Sequence, residues 1–331
     1  MAGHLPEKVQ ANGALAARRP TIGLALGGGG ARGLAHIAML EAFDELGIKP
    51  DVIAGTSIGA IYGAAYASGI SGRDLREHTR FILSQRLGLI RELFARRAQP
   101  FSRLLSVFGA RNAILDPLAV LEMILPIEVA ETFAECKIPL KIVASDFYDQ
   151  EPKVFTEGQL RPAVAASMAL PVIFQPVIFE GRALIDGGLT NPLPFDLLLA
   201  ETDIVVAIDV SGAPVPDPKR DAPTAFSALF SSAFLFERTI VKEKLKARQP
   251  DILISGGTSN YQALEFRKFD EILAAAEPAK ERLKQQLARV LSVETLPELQ
   301  GSEANEPRIL APPKSKMRRL LPRPRKGPER E

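Results

Sequence analysis

Thr21-Ile22-Gly23-Leu24-Ala25-Leu26-Gly27-Gly28-Gly29-Gly30-Ala31-Arg32-Gly33 is the stretch that decides the architecture. The apolar run from Thr21 to Leu26 has the length of a buried strand, and four glycines end it. Beyond them Ala31, Leu34, Ala35, Ala38, Ala42 and Leu46 recur at helical spacing, with Gly47 in the position of a C′ residue. Lys49-Pro50 makes a turn, and Asp51 to Ala54 reads as a second strand. Gly55-Thr56-Ser57-Ile58-Gly59 then leads into a helix of small residues that ends near Gly69. Strand, helix, strand, helix in this rhythm implies parallel strands joined by right-handed crossovers. The expected class is α/β, with helices on both faces of a mostly parallel central sheet.

Further strands are expected at Leu140 to Ala144, Lys153 to Thr156, Pro176 to Phe179, Ala183 to Ile185, Ile204 to Val210 and Asp251 to Ser255. Gly72 to Glu135 lacks strand signals and reads as a helical cap over about 72–135, and Thr224 to Lys246 and Phe266 to Leu291 also read as helices. The expected organisation is an N-terminal extension over 1–20, a main domain over 21–210 and a completion of that same domain over 211–298. A basic, proline-rich tail follows over 299–331; its composition predicts disorder. No internal repeat is present.

A chain of 331 residues, 46% hydrophobic, can bury one sizeable α/β core or two small ones. The single cysteine, Cys136, excludes a disulfide framework or a cysteine-rich metal site and fits a reducing compartment. Residues 1–20 contain Glu7, Lys8, Arg18 and Arg19 and no apolar core of a secretory signal. Val52 to Ile70 and Pro162 to Phe179 are uncharged, but the first is rich in Gly and Ala and the second is broken by Pro171 and Pro176. Both read as buried core rather than membrane spans. A cytoplasmic protein is expected, peripheral to the inner membrane surface if its basic segments meet lipid.

The net charge of +2 conceals polarity. Residues 306–331 carry nine Lys/Arg against three Glu, and Arg80 to Arg111 carries seven Arg against one Glu. In the second segment Phe81, Ile82, Leu87, Ile90, Leu93 and Phe94 intersperse with the arginines. Two readings stand: a helix lying on an anionic lipid surface, or a cap whose apolar side packs on the sheet. The tail, with Lys316-Met317-Arg318-Arg319, is either a lipid-binding segment or a solvated appendage. No stacking aromatics accompany it, so specific nucleic-acid binding is not expected.

Gly55-Thr56-Ser57-Ile58-Gly59 matches G-x-S-x-G at a strand-to-helix junction, where a tight turn lifts a serine oxygen clear and flanking glycines remove obstructing Cβ atoms. A Ser-His-acid relay is not available in the usual order, since the only histidines are His4, His36 and His78. His4 lies in the terminus, His36 reads as a packed structural residue, and His78 lies in the charged stretch Arg73 to Arg80, read as solvated surface. The best remaining base is Asp186, which follows the strand Ala183-Leu184-Ile185 at the turn Asp186-Gly187-Gly188. Desolvation and a direct hydrogen bond would make a carboxylate an adequate base. Asp146 and Asp209, also at strand ends, are rivals. Gly28-Gly29-Gly30-Ala31-Arg32-Gly33 also satisfies G-x-G-x-x-G, with Asp51 near the distance of a ribose-binding acid, so a nucleotide site is the competing reading, and a non-catalytic regulatory protein on the same fold is a third. An oxyanion hole needs the same object, closely spaced backbone N–H groups at a helix start.

Together and in this order, Gly27 to Gly33, Gly55 to Gly59 and Asp186-Gly187-Gly188 resemble the patatin-like phospholipase family, its bacterial members in particular. Ala166-Ser167-Met168-Ala169-Leu170-Pro171 and Asn191-Pro192-Leu193-Pro194 support the resemblance, which covers roughly residues 22–210. It implies a three-layer α/β fold, a Ser57–Asp186 dyad acting on lipid acyl esters, and no metal or organic cofactor. It also implies an oxyanion hole from the N–H groups of Gly29 and Gly30, with that of Ile58 beside them. Arg32 resembles a family arginine placed to meet a substrate phosphate; as a bare residue it reads equally as a helix-start surface arginine.

Overall fold

The computed structural model describes residues 19–95, 115–213 and 222–291. β1 (Ile22–Leu26) is followed by a 3-10 turn over Gly30–Leu34 and by α1 (Ala35–Glu45), and β2 (Val52–Thr56) runs into α2 (Ile58–Ala67). After α3 (Gly72–Ala95) and α4 (Pro117–Ile124) come β3 (Leu140–Asp146), β4 (Pro152–Phe155), α5 (Leu160–Ser167) and the hairpin of β5 (Val177–Phe179) with β6 (Arg182–Asp186). β7 (Ile204–Asp209), α6 (Ala225–Ala247), β8 (Ile252–Ser255) and α7 (Phe269–Val290) follow.

The strands form one sheet in the order β5-β6-β3-β2-β1-β7-β8, with β4 paired to β3 off that path. Neighbours from β3 through β8 are parallel; β4 and β6 meet β3 antiparallel, and β5 meets β6 antiparallel. Residues after 211 therefore add an edge strand to the same sheet. Side chains alternate across β1 as its period of two requires. Ile22, Leu24 and Leu26 join a core built with α1, α2, α5 and α7. Ala25 faces the other way, with Ala54, Val205 and Ala207 under Leu193, Phe195, Leu198 and Val241 of α6. The three layers are thus unequal, thick with helices on one face and thinner on the other.

Several expectations need correction. The helix after the glycines starts as a 3-10 turn, in which Gly33 passes so close to Ile58 that a Cβ would stand 2.2 Å from its Cγ2. α5 was not expected; it occupies the start of the uncharged stretch at Pro162, and its inner residues are buried. The segment at Phe266 opens with a separate 3-10 turn over Phe266–Lys268 before α7 begins. His78 is not solvated surface. It shares the inward face of α3 with Leu75 and Ile82, is 6% exposed, and its Nε2 meets the Ile124 carbonyl at 2.8 Å. Arg80 pairs with Glu77 and with Asp270 of α7. Residues 96–111 of the Arg80 to Arg111 segment, His4 in the N-terminal extension, and the basic tail lie outside the described residues. Among the described residues no helix is long and apolar enough to cross a membrane.

Candidate active site

Strand register brings two of the singled-out residues to one level. Thr56 on β2 lies beside Val143 on β3, and the next β3 residue, Ala144, lies beside Asp186 at the end of antiparallel β6. Ser57, one residue past Thr56, and Asp186 thus flank β3 about 10 Å apart at the backbone, two strand spacings. Their side chains close that gap: Ser57 Oγ–H donates to Asp186 Oδ2 at 2.7 Å.

Ser57 has φ 55° and ψ −120°, an uncommon conformation for a residue with a Cβ. The turn leaves no room on either side. A Cβ on Gly55 would stand 2.7 Å from the Gly59 carbonyl oxygen, and one on Gly59 would stand 2.2 Å from that of Leu26. Ser57 N–H donates to Ser167 Oγ at 2.8 Å, and the Ser167 hydroxyl donates in turn to the Val143 carbonyl. Thr56 Oγ1 donates to the Asn191 carbonyl at 2.8 Å. The elbow is therefore held from α5, β3 and the segment after β6.

The glycine loop crosses the carboxyl end of β1 beside this elbow. Gly27 N–H donates to Ile208, Gly28 N–H to Pro192 at 2.9 Å, and Ala31 N–H to Ala263 at 2.8 Å. Gly28 lies against Ser57, since a Cβ built on it would be 3.5 Å from the serine Cβ. The N–H of Gly28 is consumed in holding the loop, whereas those of Gly29 and Gly30 meet no acceptor among the described residues. A Cβ on Gly29 would stand 2.4 Å from the Val210 carbonyl oxygen, and Gly30 has φ +61°, so both positions favour glycine. Ile58, the first residue of α2, adds a helix-start N–H that has no partner within its own helix.

Asp186 is 2% exposed. Burial pushes its carboxyl up to about 6, against the hydrogen bonds it accepts from Ser57 and from Gly188 N–H. A carboxylate so placed is ionised near neutral pH yet basic enough to accept a proton. The two rivals are otherwise engaged. Arg182 holds the Asp146 carboxyl below its ordinary range, at 2.7 Å, with the Asp149 and Tyr148 N–H groups adding to the effect. Asp209 accepts from Ser211 N–H at 2.8 Å. Asp51, the acid of the nucleotide reading, accepts from Ile22 N–H at the start of β1, a strand length from the glycine loop. It cannot serve a ribose bound there.

Ser57 and Asp186 open into a cavity of about 180 Å³ lined mainly by apolar side chains, among them Ile61, Leu75, Ile124, Phe174, Phe230 and Phe234. The patatin-like phospholipase family profile matches residues 24–199, just over half of the chain, and spans the glycine loop, the serine elbow and the Asp-Gly-Gly turn. The chain belongs to the patatin-like phospholipase family. It is similar to an uncharacterized NTE family protein of Mycobacterium tuberculosis, 34% identical over 204 residues that make up 61% of this chain and 52% of that protein. The chain thus spans about half the length of that relative. It is 31% identical over 192 residues to patatin-like phospholipase domain-containing protein 7 of Rattus norvegicus, covering 57% of this chain and 13% of that one. Among solved structures it is similar to VipD of Legionella pneumophila, with a TM-score of 0.43 and 16% identity, over 81% of this chain and 67% of that one. ExoU of Pseudomonas aeruginosa, solved with SpcU, gives a TM-score of 0.42 and 17% identity over 83% and 52%.

Other residues of this patatin-like site sit where sequence reasoning did not put them. Arg32 is neither on the surface nor open to the cavity: it is 2% exposed, stacked 5.0 Å over Phe234, and donates to the carbonyls of Val210 and Tyr261. His36, by contrast, is the packed structural residue its sequence context implies, fully buried under the loop with Nε2 2.8 Å from the Gly27 carbonyl. Ser167 was visible only as part of a supporting motif. Glu237 had no signal except its place as the first charged residue after the uncharged run Ala225 to Phe236. It is 3% exposed and shares the cavity wall with Ser57 and Asp186.

Proposed function

We propose that the protein is a serine acyl hydrolase that cleaves fatty-acyl esters of lipids. The observation that carries this reading is the 2.7 Å hydrogen bond from Ser57 to a buried Asp186 at the mouth of an apolar cavity. As Ser57 Oγ attacks the ester carbonyl carbon, its proton passes to Asp186 and the carbonyl oxygen becomes an oxyanion. The N–H groups of Gly29 and Gly30, with that of Ile58, are the donors for that charge; one such donor is worth about 10²–10³ in rate. Collapse breaks the ester C–O bond, and the leaving alcohol takes the proton from Asp186. Water then attacks the acyl-serine, Asp186 accepts its proton, and the fatty acid leaves as Ser57 recovers its hydrogen.

The cavity supports an acyl chain as the group held. Its wall follows α2 from Ser57 to Ala65, about 12 Å by helical rise. Its volume of about 180 Å³ is similar to that of an engineered apolar cavity of about 150 Å³ that admits benzene. The test is hydrolysis of a short-chain chromogenic ester and of phospholipid vesicles by wild type and Ser57→Ala. Wild-type turnover that disappears in the variant is expected; equal background rates in both would refute the reading.

A further inference from the structure

Glu237 of α6 is a buried acid with no part in the steps above. A Cβ placed on Gly188 would stand 2.6 Å from Glu237 Oε1 and 3.1 Å from Asp186 Oδ1, so the two carboxyl groups converge on the bare Cα of one glycine. Two buried carboxyls converging in this way lose their protons in separate steps, the second against the charge left by the first. Their surroundings decide which one carries the proton. Asp186 accepts hydrogen bonds from Ser57 and Gly188, whereas among the described residues Glu237 is offered none. The charged groups around Glu237 are Asp186 at the end of β6 and Arg32 in the turn after β1. Arg32 is itself flanked by Asp209 of β7 and Arg238 of α6, and is bonded to backbone carbonyls. His78 of α3 lines the same cavity.

We propose that Glu237 is a positioning residue of this site, a neutral carboxyl facing Asp186 whose ionisation shuts down the Ser57–Asp186 pair. The proposal rests on the acyl-hydrolase reading. Burial and the charge of Asp186 push Glu237 well above the usual carboxylate range, while Asp186 titrates at about 6. Between these two steps the site holds one negative charge, on the base. Loss of the second proton adds a buried negative charge beside Asp186, where it opposes the oxyanion that forms during attack. The rate should therefore rise through about pH 6 and fall again above the Glu237 step, about tenfold per pH unit.

The test is the pH profile of kcat/KM on a chromogenic ester for wild type, Glu237→Gln and Glu237→Met, the last two close in volume and unable to ionise. Both variants should keep the acid limb and lose the alkaline limb. Melting temperatures across the same pH range give a readout independent of turnover. A carboxyl whose folded pKa is raised binds its proton more tightly in the folded state, so stability is lost as pH rises from the ordinary Glu value through the raised one. Wild type should show that loss relative to Glu237→Gln; Asp186 titrates in both proteins and cancels. An alkaline limb that survives in both variants, or identical pH dependence of melting, overturns the proposal while leaving the hydrolase reading intact. Wild type no more active than Ser57→Ala overturns that reading and the proposal with it.

Discussion

Ser57 differs from an ordinary helix-capping serine in its backbone conformation. Holding a non-glycine residue at φ 55° costs on the order of 1–3 kcal/mol, and it persists because Gly55, Gly59 and the Ser167 hydroxyl leave the turn no alternative. The two glycines after Asp186 separate fold from chemistry in the same way. A Cβ on Gly187 would meet the Val143 carbonyl oxygen at 2.1 Å, an atom of the central sheet that cannot yield. A Cβ on Gly188 would meet first the end of the Glu237 side chain and the Asp186 carboxyl, both able to shift. Gly187→Ala should therefore lower the melting temperature, whereas Gly188→Ala should melt near wild type and lose activity. A displacement of about 1 Å at the base can cost about 10² in kcat. Equal losses of stability in the two variants would contradict this division. The meeting of Ser57, Asp186 and the glycines was legible in the sequence because tight turns and close backbone approaches demand rare residue types at fixed spacing. Glu237 was not legible, because its role depends on where α6 crosses the site.

At the scale of elements, α1, α3 and α7 are fastened by Glu41. It receives two hydrogen bonds from Arg76 of α3 and an ion pair from Lys280 of α7, with Glu41 and Lys280 both nearly buried. Among the described residues, removing Glu41 leaves Lys280 with only Glu45 and Arg76 with only Glu277, both more exposed than Glu41, a loss below the roughly 3 kcal/mol of a buried charge left with no partner. Lys284 makes comparable contacts to Glu45 and Glu281 at the helix surface, where an exposed pair contributes less than about 1 kcal/mol. In urea unfolding, Glu41→Ala should lower the midpoint markedly and Lys284→Ala should barely move it. Comparable shifts would mean that burial does not govern these pairs. Strands and long helices were readable because their apolar periods differ and Gly or Pro marks their ends. α5 was hidden, since Ala163, Val164, Ala165 and Ala166 are apolar on every side and carry no period at all. The 3-10 turn at Gly30–Leu34 was equally hidden, because it depends on the contact of Gly33 with Ile58.

For the whole molecule, the acid side of its stability curve turns on His36. The ring is enclosed, Nε2 donates to the Gly27 carbonyl as the neutral tautomer, and Nδ1 has no partner among the described residues. A charged imidazolium there would lack a counter-ion, and burial lowers the pKa to about 4. The unfolded chain takes up that proton near 6.5 and the folded chain only near 4. The stability contributed by neutral His36 is thus complete above 6.5 and is lost as pH falls from there towards 4, by about 3 kcal/mol in all. Asp186 acts in the opposite sense. Its pKa is raised by burial to about 6, so its cost to the fold is relieved as pH falls from 6 towards the ordinary aspartate value. Glu237, whose pKa is also raised, adds to the Asp186 trend, so as pH falls from 6 towards 4 the loss from His36 in wild type opposes the gains from two carboxyls. His36→Gln keeps an N–H for the Gly27 carbonyl and cannot titrate. Without a titrating ring, its melting temperature should climb relative to wild type as the pH is lowered from 6.5 to 4 and run parallel to wild type above 7. A difference between the two proteins that stays constant across that range would mean that His36 is charged in the folded state, and that the glycine loop above it is anchored by an imidazolium.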